Sequence, residues 1–285
     1  MKLATINYEN SEQPVILREN GAVLIKSINE YASVELPCTS FELLELSAVN
    51  ELKRVISNMT ESDWRIIPSI SQGELQFVAP YRSPHHIFGV GMNYVEKAVD
   101  LEAIQIKDAP VIFMKPTSSL IGMNEFIELP EFSKVVTAEG ELCLIIGKEC
   151  HKVSPEEAMD YVSGYTTSLD MTAKDIHAQN PRFVQISKVF KSFFSFGPEI
   201  QLLDGNETLH ELVVKSVQNG EVRADNTVSN MMYSPAFILS YISQFVTLMP
   251  GDLIMTGTPG SFELKNGDNA SCHITGLLAL ENQVI

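Results

Sequence analysis

The segment VTAEGELCLIIG, residues 136 to 147, constrains the fold of this chain more than any other. Glu139 and Glu141 lie two positions apart, and the apolar run LCLII follows them directly. Side chains two positions apart on a β-strand point to the same face. The segment therefore predicts a buried strand that carries two neighbouring carboxylates near its beginning. Like charges at that distance repel each other, and burial raises the cost, so the pair requires a nearby cation.

The sequence pattern of the first quarter of the chain indicates a small β-rich unit. Short strand-forming runs separated by turn-like residues (KLATINYE, QPVILREN and AVLIKSI) occupy residues 2 to about 35. Thr39 and Glu42 then form a capping-box pattern, and the apolar residues that follow have helical spacing to about Met59. We interpret residues 1–75 as a small N-terminal β-rich domain.

Strand-forming runs dominate the rest of the chain, including HHIFGVGMNY, VIFMKP, YTTSLDM and the C-terminal tail. Two helices are predicted where a serine cap precedes a proline, at Ser154-Pro155 and at Ser234-Pro235. Many strands and few helices predict an α+β fold that is mainly β. We interpret residues 80–285 as the main, catalytic domain.

Charge and cysteine content exclude several classes of partner. Asp and Glu outnumber Lys and Arg by 36 to 20, a net charge of −16, which makes nucleic acid and anionic membranes poor partners. The N-terminus lacks an apolar signal segment, and no apolar run approaches the ~20 residues of a membrane-spanning helix. We therefore expect a cytoplasmic chain that binds neither nucleic acid nor membrane. The cysteines form no CxxC pair, which argues against structural zinc and fits a reducing compartment: Cys38, Cys143, Cys150 and Cys272.

A third acid completes a candidate metal site. Asp170, in the segment TTSLDMTAKD, stands where a strand-forming run meets polar residues and is the natural partner of Glu139 and Glu141. Three carboxylates from two strands suit a hard divalent cation such as magnesium. The alternative is that the two glutamates are solvated residues at a strand end, since acidic pairs are common in so acidic a chain.

A series of short motifs resembles one enzyme family. GVGMNY, FMKP, EGELCLIIGK, SGYTTSLDMTAKD, FGP, NGEV and PGDLIMTGTP occur in this order between residues 88 and 260. Together they resemble the fumarylacetoacetate hydrolase family, and the N-terminal part resembles the small β-rich extension of many members. The resemblance implies a twisted β-roll domain, a homodimer, and a bound Mg²⁺ or Mn²⁺ ion whose ligands are Glu139, Glu141 and Asp170.

The resemblance also implies substrate-binding residues. It places Lys188, in QISKVF, and Thr258, in TGTP, at the substrate, and Lys115, in FMKP, near the site. Gly257 lies in the same turn as Thr258, where a missing side chain lets the backbone approach a ligand closely. The alternative is that both lysines are solvated and that TGTP is only a turn. The family acts on small 2-oxo or β-diketo acids such as acylpyruvates, so we expect a small anionic 2-oxo acid as substrate.

The chain departs from the family at the catalytic dyad. Hydrolytic members typically carry a histidine three residues after the NY pair and a glutamate three residues later, which together activate water. Here these positions hold Lys97 and Asp100, which we retain with Lys188 as candidate catalytic residues. An ordinary lysine is protonated at neutral pH and cannot act as a base, although burial and a nearby metal ion would lower its pKa. His177 is the nearest imidazole to Asp170 in the sequence, and we interpret it as structural.

Three functions remain open. The first is a metal-dependent enzyme that breaks a C–C bond of a 2-oxo or β-diketo acid by hydrolysis or decarboxylation, with the metal stabilising the enolate. The second is an isomerase or tautomerase of a 2-oxo dicarboxylate, which needs only a proton relay. The third is a catalytically weak protein that binds a metal ion and a carboxylate ligand.

Overall fold

The computed structural model describes residues 1–94, 109–205 and 208–285. Strands dominate it, as predicted, and its α-helices are short. The strands are β1 (Lys2–Tyr8), β2 (Ser11–Arg18), β3 (Gly21–Leu24), β4 (Ile70–Ser71), β5 (Ile87–Gly91), β6 (Val111–Lys115), β7 (Leu120–Ile121), β8 (Val136–Ile146), β9 (Val162–Ala173), β10 (Phe194–Phe196), β11 (Glu199–Leu202), β12 (Val213–Gln218), β13 (Glu221–Thr227), β14 (Leu253–Met255), β15 (Ser261–Glu263), β16 (Asn269–Ile274) and β17 (Leu280–Gln283). The helices are α1 (Ile25–Ala32), α2 (Ser40–Leu43), α3 (Leu46–Ser57), α4 (Glu61–Ile66), α5 (Lys174–Gln179) and α6 (Pro235–Ser243).

Two sheets organise these strands. The larger is a mixed 13-stranded sheet whose main path runs β4-β3-β2-β1-β11-β9-β8-β14-β5-β6, and the smaller has the order β13-β12-β16-β17. The antiparallel pair β8–β9 lies in the middle of the larger sheet and is its longest ladder. All of β9 and nearly all of β8 are buried. This explains why β8 reads as a nearly continuous apolar run rather than as an alternating one.

The N-terminal strands join the same sheet. β1 pairs with β11 in an antiparallel register that sets Leu3 opposite Ile200. One hydrophobic cluster also combines Leu3 and Ile28 with Ile145 and Phe194 from the later part of the chain. The sheet and the core thus extend across the boundary proposed between residues 75 and 80, and the two-domain division stays a prediction.

The prediction for AVLIKSI was wrong in its second half. The strand ends at Leu24, and α1 begins at Ile25. Ile25 and Ile28 are the buried residues of this helix, and their spacing of three is helical rather than strand-like. The helix predicted from Thr39 to Met59 also forms, but as two pieces, α2 and α3.

The helix predicted after Ser154 was also wrong. Ser154 Oγ donates to the Glu157 carboxylate at 3.0 Å, but the Glu157 amide donates to Ser154 O rather than to the hydroxyl, so the capping box does not form. The chain makes only a short 3-10 turn, Ala158–Tyr161, before β9 begins at Val162. Gly164, expected to end the helix, lies in β9, where a Cβ atom would approach Gln201 O to 2.6 Å. Pairing with β8 and β11 therefore outweighs the local helix signal.

The second serine–proline pair behaves as predicted. Pro235 is the first residue of α6, and Ser234 Oγ accepts a hydrogen bond from the amide of Phe237 at 3.2 Å. Within the described ranges, no helix has both the length and the apolar character needed to cross a membrane.

Candidate active site

The β8–β9 register brings the three predicted acids together. Glu139 lies directly opposite Asp170, and Glu141 is two residues further along β8. One carboxylate oxygen from each residue lies within 4.8 Å of the other two. Glu141 and Asp170 are 1% and 0% exposed, whereas the Glu139 side chain is 12% exposed. Three acids from two strands thus form one cluster, as the sequence predicts.

Lys188 supplies one of the cations that this cluster requires. It ends a 3-10 turn, Ile186–Lys188, and its side chain is only 7% exposed. Its Nζ donates to Asp170 Oδ2 at 2.5 Å and to Thr172 Oγ1 at 2.7 Å, and lies 3.5 Å from Glu139 Oε2. The ammonium also lies 4.3 Å from the centroid of the Phe113 ring. The alternative of a solvated Lys188 was therefore wrong.

Lys115 lies on the other side of Asp170 and is fully buried. Its Nζ donates to three main-chain oxygens, those of Met171 at 2.9 Å, Lys188 at 3.1 Å and Phe193 at 2.6 Å. The same Nζ is 2.7 Å from Asp170 Oδ1. An ammonium has three protons, and these go to the carbonyl groups. Asp170 Oδ1 is consequently buried without a hydrogen bond from any described residue.

Gly257 contacts the acid cluster through its backbone. Its amide donates to Glu141 Oε2 at 2.6 Å. Its φ is +100°, and a Cβ atom would approach the Asn93 Cβ to 2.7 Å, so both the conformation and the space require glycine. In this structure the close approach predicted for Gly257 is to Asn93 and to a carboxylate of the chain itself.

Thr258 and the dyad positions add less. Thr258 is 3% exposed, and its Oγ1 donates to Gly260 O at 3.0 Å and lies 3.4 Å from Ser216 Oγ. Its substrate contact stays a prediction. Lys97 and Asp100 lie outside the described residues.

Burial and crowding shift the pKa values of the cluster. Burial first, and then the charges of Asp170 and Glu139, raise the pKa of Glu141 well above its ordinary value. Burial lowers the pKa of Lys115 to about 8, against the attraction of Asp170. Burial also works against the charge of Lys188, but Asp170 and Glu139 outweigh it and raise the pKa of that lysine. The two lysines therefore leave Glu141 incompletely compensated.

Sequence reasoning missed two buried residues beside the cluster, Asn93 and Tyr94 of the NY pair. Asn93 Nδ2 donates to Thr256 O at 2.7 Å and to Tyr233 O at 3.0 Å, which fixes the turn that precedes Gly257. Tyr94 is 0% exposed, and its hydroxyl has no hydrogen-bond partner among the described residues. The NY pair was used only to locate the dyad, although adjacent polar residues after a buried strand were a signal in themselves.

Thr172 was missed as well. It is 6% exposed, and its hydroxyl binds Lys188. It stands two positions after Asp170 on β9, and that spacing could have placed it on the face of the acids.

The donor set fits a divalent metal ion. Carboxylate oxygens are hard ligands of the type that Mg²⁺ and Mn²⁺ prefer. Asp170 Oδ1 is buried and open to a further partner, and the oxygens of the three acids already converge. Three carboxylates and two ammonium groups sum to a charge of −1 when all are ionised, which a divalent ion would change to +1.

Comparison with known proteins decides the family. The family model described as the C-terminal part of fumarylacetoacetate (FAA) hydrolase matches residues 86–285. The chain belongs to the fumarylacetoacetate hydrolase family. This membership confirms the predicted family and enzyme class.

Individual relatives extend the likeness to the whole chain. The mitochondrial oxaloacetate tautomerase fahd2 of Xenopus laevis is 32% identical over 299 residues, covering 100% of this chain and 90% of that protein. The mitochondrial oxaloacetate tautomerase FAHD2A of Homo sapiens is 33% identical over 228 residues, covering 77% of this chain and 72% of that protein. The crystal structure of 5-carboxymethyl-2-hydroxymuconate delta-isomerase from Mycobacterium smegmatis superposes with a TM-score of 0.76 at 26% identity, covering 100% and 98% of the two chains. The predicted α+β, mainly β fold is confirmed.

Proposed function

We propose that this protein is a divalent-metal-dependent enzyme that tautomerises a small anionic 2-oxo acid, and that its substrate is a 2-oxo dicarboxylate such as oxaloacetate. The observation that carries the proposal is the buried cluster of Glu139, Glu141 and Asp170, whose oxygens converge within 4.8 Å beside two lysines. The names of the two tautomerases described above support the substrate class.

The three acids would hold Mg²⁺ or Mn²⁺. When bound, such an ion supplies Lewis-acid chemistry to the keto and carboxylate oxygens of a 2-oxo acid. The calculated change of site charge from −1 to +1 favours an anionic substrate over a neutral one.

A positive charge that belongs to the chain itself adds to the charge of the metal ion. The Lys188 ammonium sits at the edge of the cluster and is held in place by Asp170 and Thr172. A fixed positive charge in a largely buried site stabilises negative charge that develops on a substrate oxygen, since little water screens it. We propose that Lys188 orients the substrate and steadies this charge, and that Thr258 and Gly257 shape the neighbouring wall. Lys115, by contrast, is occupied with main-chain oxygens and serves to position Asp170.

The sequence favoured hydrolysis or decarboxylation, whereas we propose tautomerisation as the first function and bond cleavage as the second. Both break a C–C bond, and hydrolysis needs a base that activates water. At the positions where hydrolytic members carry the histidine and glutamate that activate water, this chain has Lys97 and Asp100, and an ordinary lysine is protonated at neutral pH. Tautomerisation requires only proton transfer, so it is the simpler reaction for the same cluster to catalyse.

One assay separates the three functions. Oxaloacetate is supplied with Mg²⁺, with Mn²⁺ or with EDTA, and the enol absorbance and the release of pyruvate are followed in parallel. We expect metal-dependent relaxation of the keto–enol ratio without matching pyruvate release. Metal-dependent pyruvate release from oxaloacetate would instead identify a decarboxylase, and the same result with an acylpyruvate would identify a hydrolase. No turnover with the metal ion bound would identify a binding protein.

A matched pair of variants links the activity to the cluster. Glu141→Gln removes a buried carboxylate of β8, whereas Glu263→Gln removes an exposed one from the neighbouring strand β15. We expect only Glu141→Gln to lose activity. Equal activity of the two variants would contradict the role of the cluster.

The assembly and location are further proposals. We propose a homodimer, which light scattering tests directly, with a monomeric mass as the contrary result. The cytoplasmic location also stays a prediction.

A further inference from the structure

His177 lies close enough to the acid cluster to interact with the charges of Lys188 and Glu139. It lies in α5, which begins directly after β9, the strand that carries Asp170 and Thr172. α5 packs against β8, against β9 and against the 3-10 turn that ends at Lys188. His177 is partly buried on this helix.

The surroundings of His177 suit a neutral imidazole. Burial first, and then the charge of Lys188, lower its pKa, and the charge of Glu139 opposes them. The other charged residues on and beside α5 are engaged elsewhere or exposed. Asp175 accepts from Ser133 Oγ at 2.6 Å and from the Lys134 amide at 2.9 Å, while Lys174 and Arg182, the latter in the 3-10 turn Pro181–Val184 that packs against α5, are exposed. Neither ring nitrogen of His177 is hydrogen-bonded to a described residue.

The other described groups of the cluster are less suited to proton transfer. Lys115 is enclosed and donates to three carbonyl groups. Lys188 is held in its charged form by Asp170 and Glu139. The three carboxylates would be occupied as metal ligands.

We propose that the His177 imidazole is the acid–base group of this site, carrying the proton between the carbon and the oxygen of the substrate. This inference rests on the proposed tautomerase function. It also revises the interpretation of His177 as a structural histidine.

The proton transfer balances without another reactant. In the keto-to-enol direction, a ring nitrogen accepts the proton from the carbon next to the keto group, and the C–H electron pair becomes the new C=C bond. The carbonyl π pair moves to the oxygen, and the imidazolium returns its proton there to form the O–H bond. The enzyme ends in its initial protonation state, as a catalyst must.

Kinetics of two matched variants test the proposal. His177→Gln keeps a polar side chain without a titrating nitrogen, and His210→Gln removes a histidine whose side chain is 68% exposed. We expect His177→Gln to lower kcat for tautomerisation by about 10²–10⁴-fold, the usual contribution of a general acid–base group, with little change in KM. The wild type should lose activity as falling pH protonates the imidazole, and that limb should be absent from the residual activity of His177→Gln. His210→Gln should behave as wild type.

A second readout does not depend on turnover. The imidazole C2–H signals of the metal-free protein are followed by NMR while Mg²⁺ and then oxalate are added, with His177 and His210 assigned from the two variants. We expect oxalate to shift the His177 signal and to leave that of His210 in place.

The outcomes separate this inference from the proposed function. Wild-type kcat and pH profile in His177→Gln, or a His177 signal indifferent to oxalate, would overturn the role of His177 while leaving the tautomerase intact. Absence of metal-dependent tautomerisation in the wild type would overturn the proposed function itself.

Discussion

Individual residues explain how two neighbouring carboxylates tolerate burial on one strand. Two lysines from distant parts of the chain flank Asp170, which lies opposite Glu139. The two lysines differ in what they bind. Lys115 secures the backbone around Asp170, whereas Lys188 contacts the carboxylates and remains at the edge of the site.

Glu141 should cost stability in the metal-free protein. Its pKa is raised in the folded state, so its ionisation is unfavourable above the pKa of the unfolded chain, and this cost is absent at acidic pH. We expect Glu141→Gln, at neutral pH in EDTA, to raise the Tm by about 2–4 °C, the change that ~1 kcal/mol produces in a chain of this size. The same variant should lose affinity for Mn²⁺ in calorimetry. A lower Tm in EDTA would contradict this electrostatic account.

Lys115 should matter for folding more than an exposed lysine does. Lys115→Met leaves three buried carbonyl groups without their donor and Asp170 with Lys188 as its only cation, and we expect a loss of about 3–5 kcal/mol in the free energy of unfolding. Lys191→Met is the control, since that side chain is 73% exposed and its ion pair with Glu128 lies at the surface. Denaturant unfolding measures both. Similar midpoints for the two variants would show that Lys115 is dispensable to the fold.

At the scale of elements, the β8–β9 ladder sets the geometry of the site. Its register pairs Glu139 with Asp170 and Glu141 with Ser168, and a slip by one residue would turn the acids to the opposite face. The turn after β14 then brings the Gly257 amide to Glu141.

Two glycines with positive φ, one in this turn and one between β15 and β16, allow backbone strain to be separated from close approach. Gly257 and Gly267 have φ of +100° and +91°, but a Cβ atom would meet Asn93 at the first and nothing within 4 Å at the second. We expect Gly267→Ala to cost about 1 kcal/mol from backbone conformation alone. Gly257→Ala should cost distinctly more and should also weaken Mn²⁺ binding, because relief of the clash with Asn93 moves the amide at this position away from Glu141. Denaturant unfolding and calorimetry test the pair, and equal behaviour of the two variants would refute the close-approach argument.

At the scale of the whole molecule, metal binding should couple to stability. The chain carries a net charge of −16, and its buried acids are only partly compensated. An ion that binds only the folded state stabilises it by about 2.7 kcal/mol at a concentration 100 times the Kd.

We therefore expect Mn²⁺ to raise the Tm of the wild type, and this increase should disappear in Asp170→Ala. Asp225→Ala, which removes an exposed acid from β13, is the control and should keep the full increase. Thermal unfolding at several Mn²⁺ concentrations measures the effect. A metal-induced increase in Asp170→Ala equal to that of the wild type would remove Asp170 from the ligand set.

The sequence by itself determined the features that depend on local pattern. Strand periodicity and apolar runs predicted β8 and β9, and the cap at Ser234 predicted α6. The spacing of Glu139 and Glu141 predicted a shared face, and Asp170 was identified as the third acid because a strand-forming run ends in polar residues there. These inferences need only the geometry of one element, which a few neighbouring residues define.

Tertiary structure alone decided the rest. Ser154 has the same local signal as Ser234, yet β9 begins before a helix can form, because pairing across a large sheet outweighs a cap. The burial of Lys115 beside Asp170 and the contact of Gly257 with Glu141 join segments far apart in the chain, and the place of His177 depends on how α5 packs against β8 and β9. Such contacts depend on strand register and packing over the whole sheet, and the periodicity of a single segment carries no information about either.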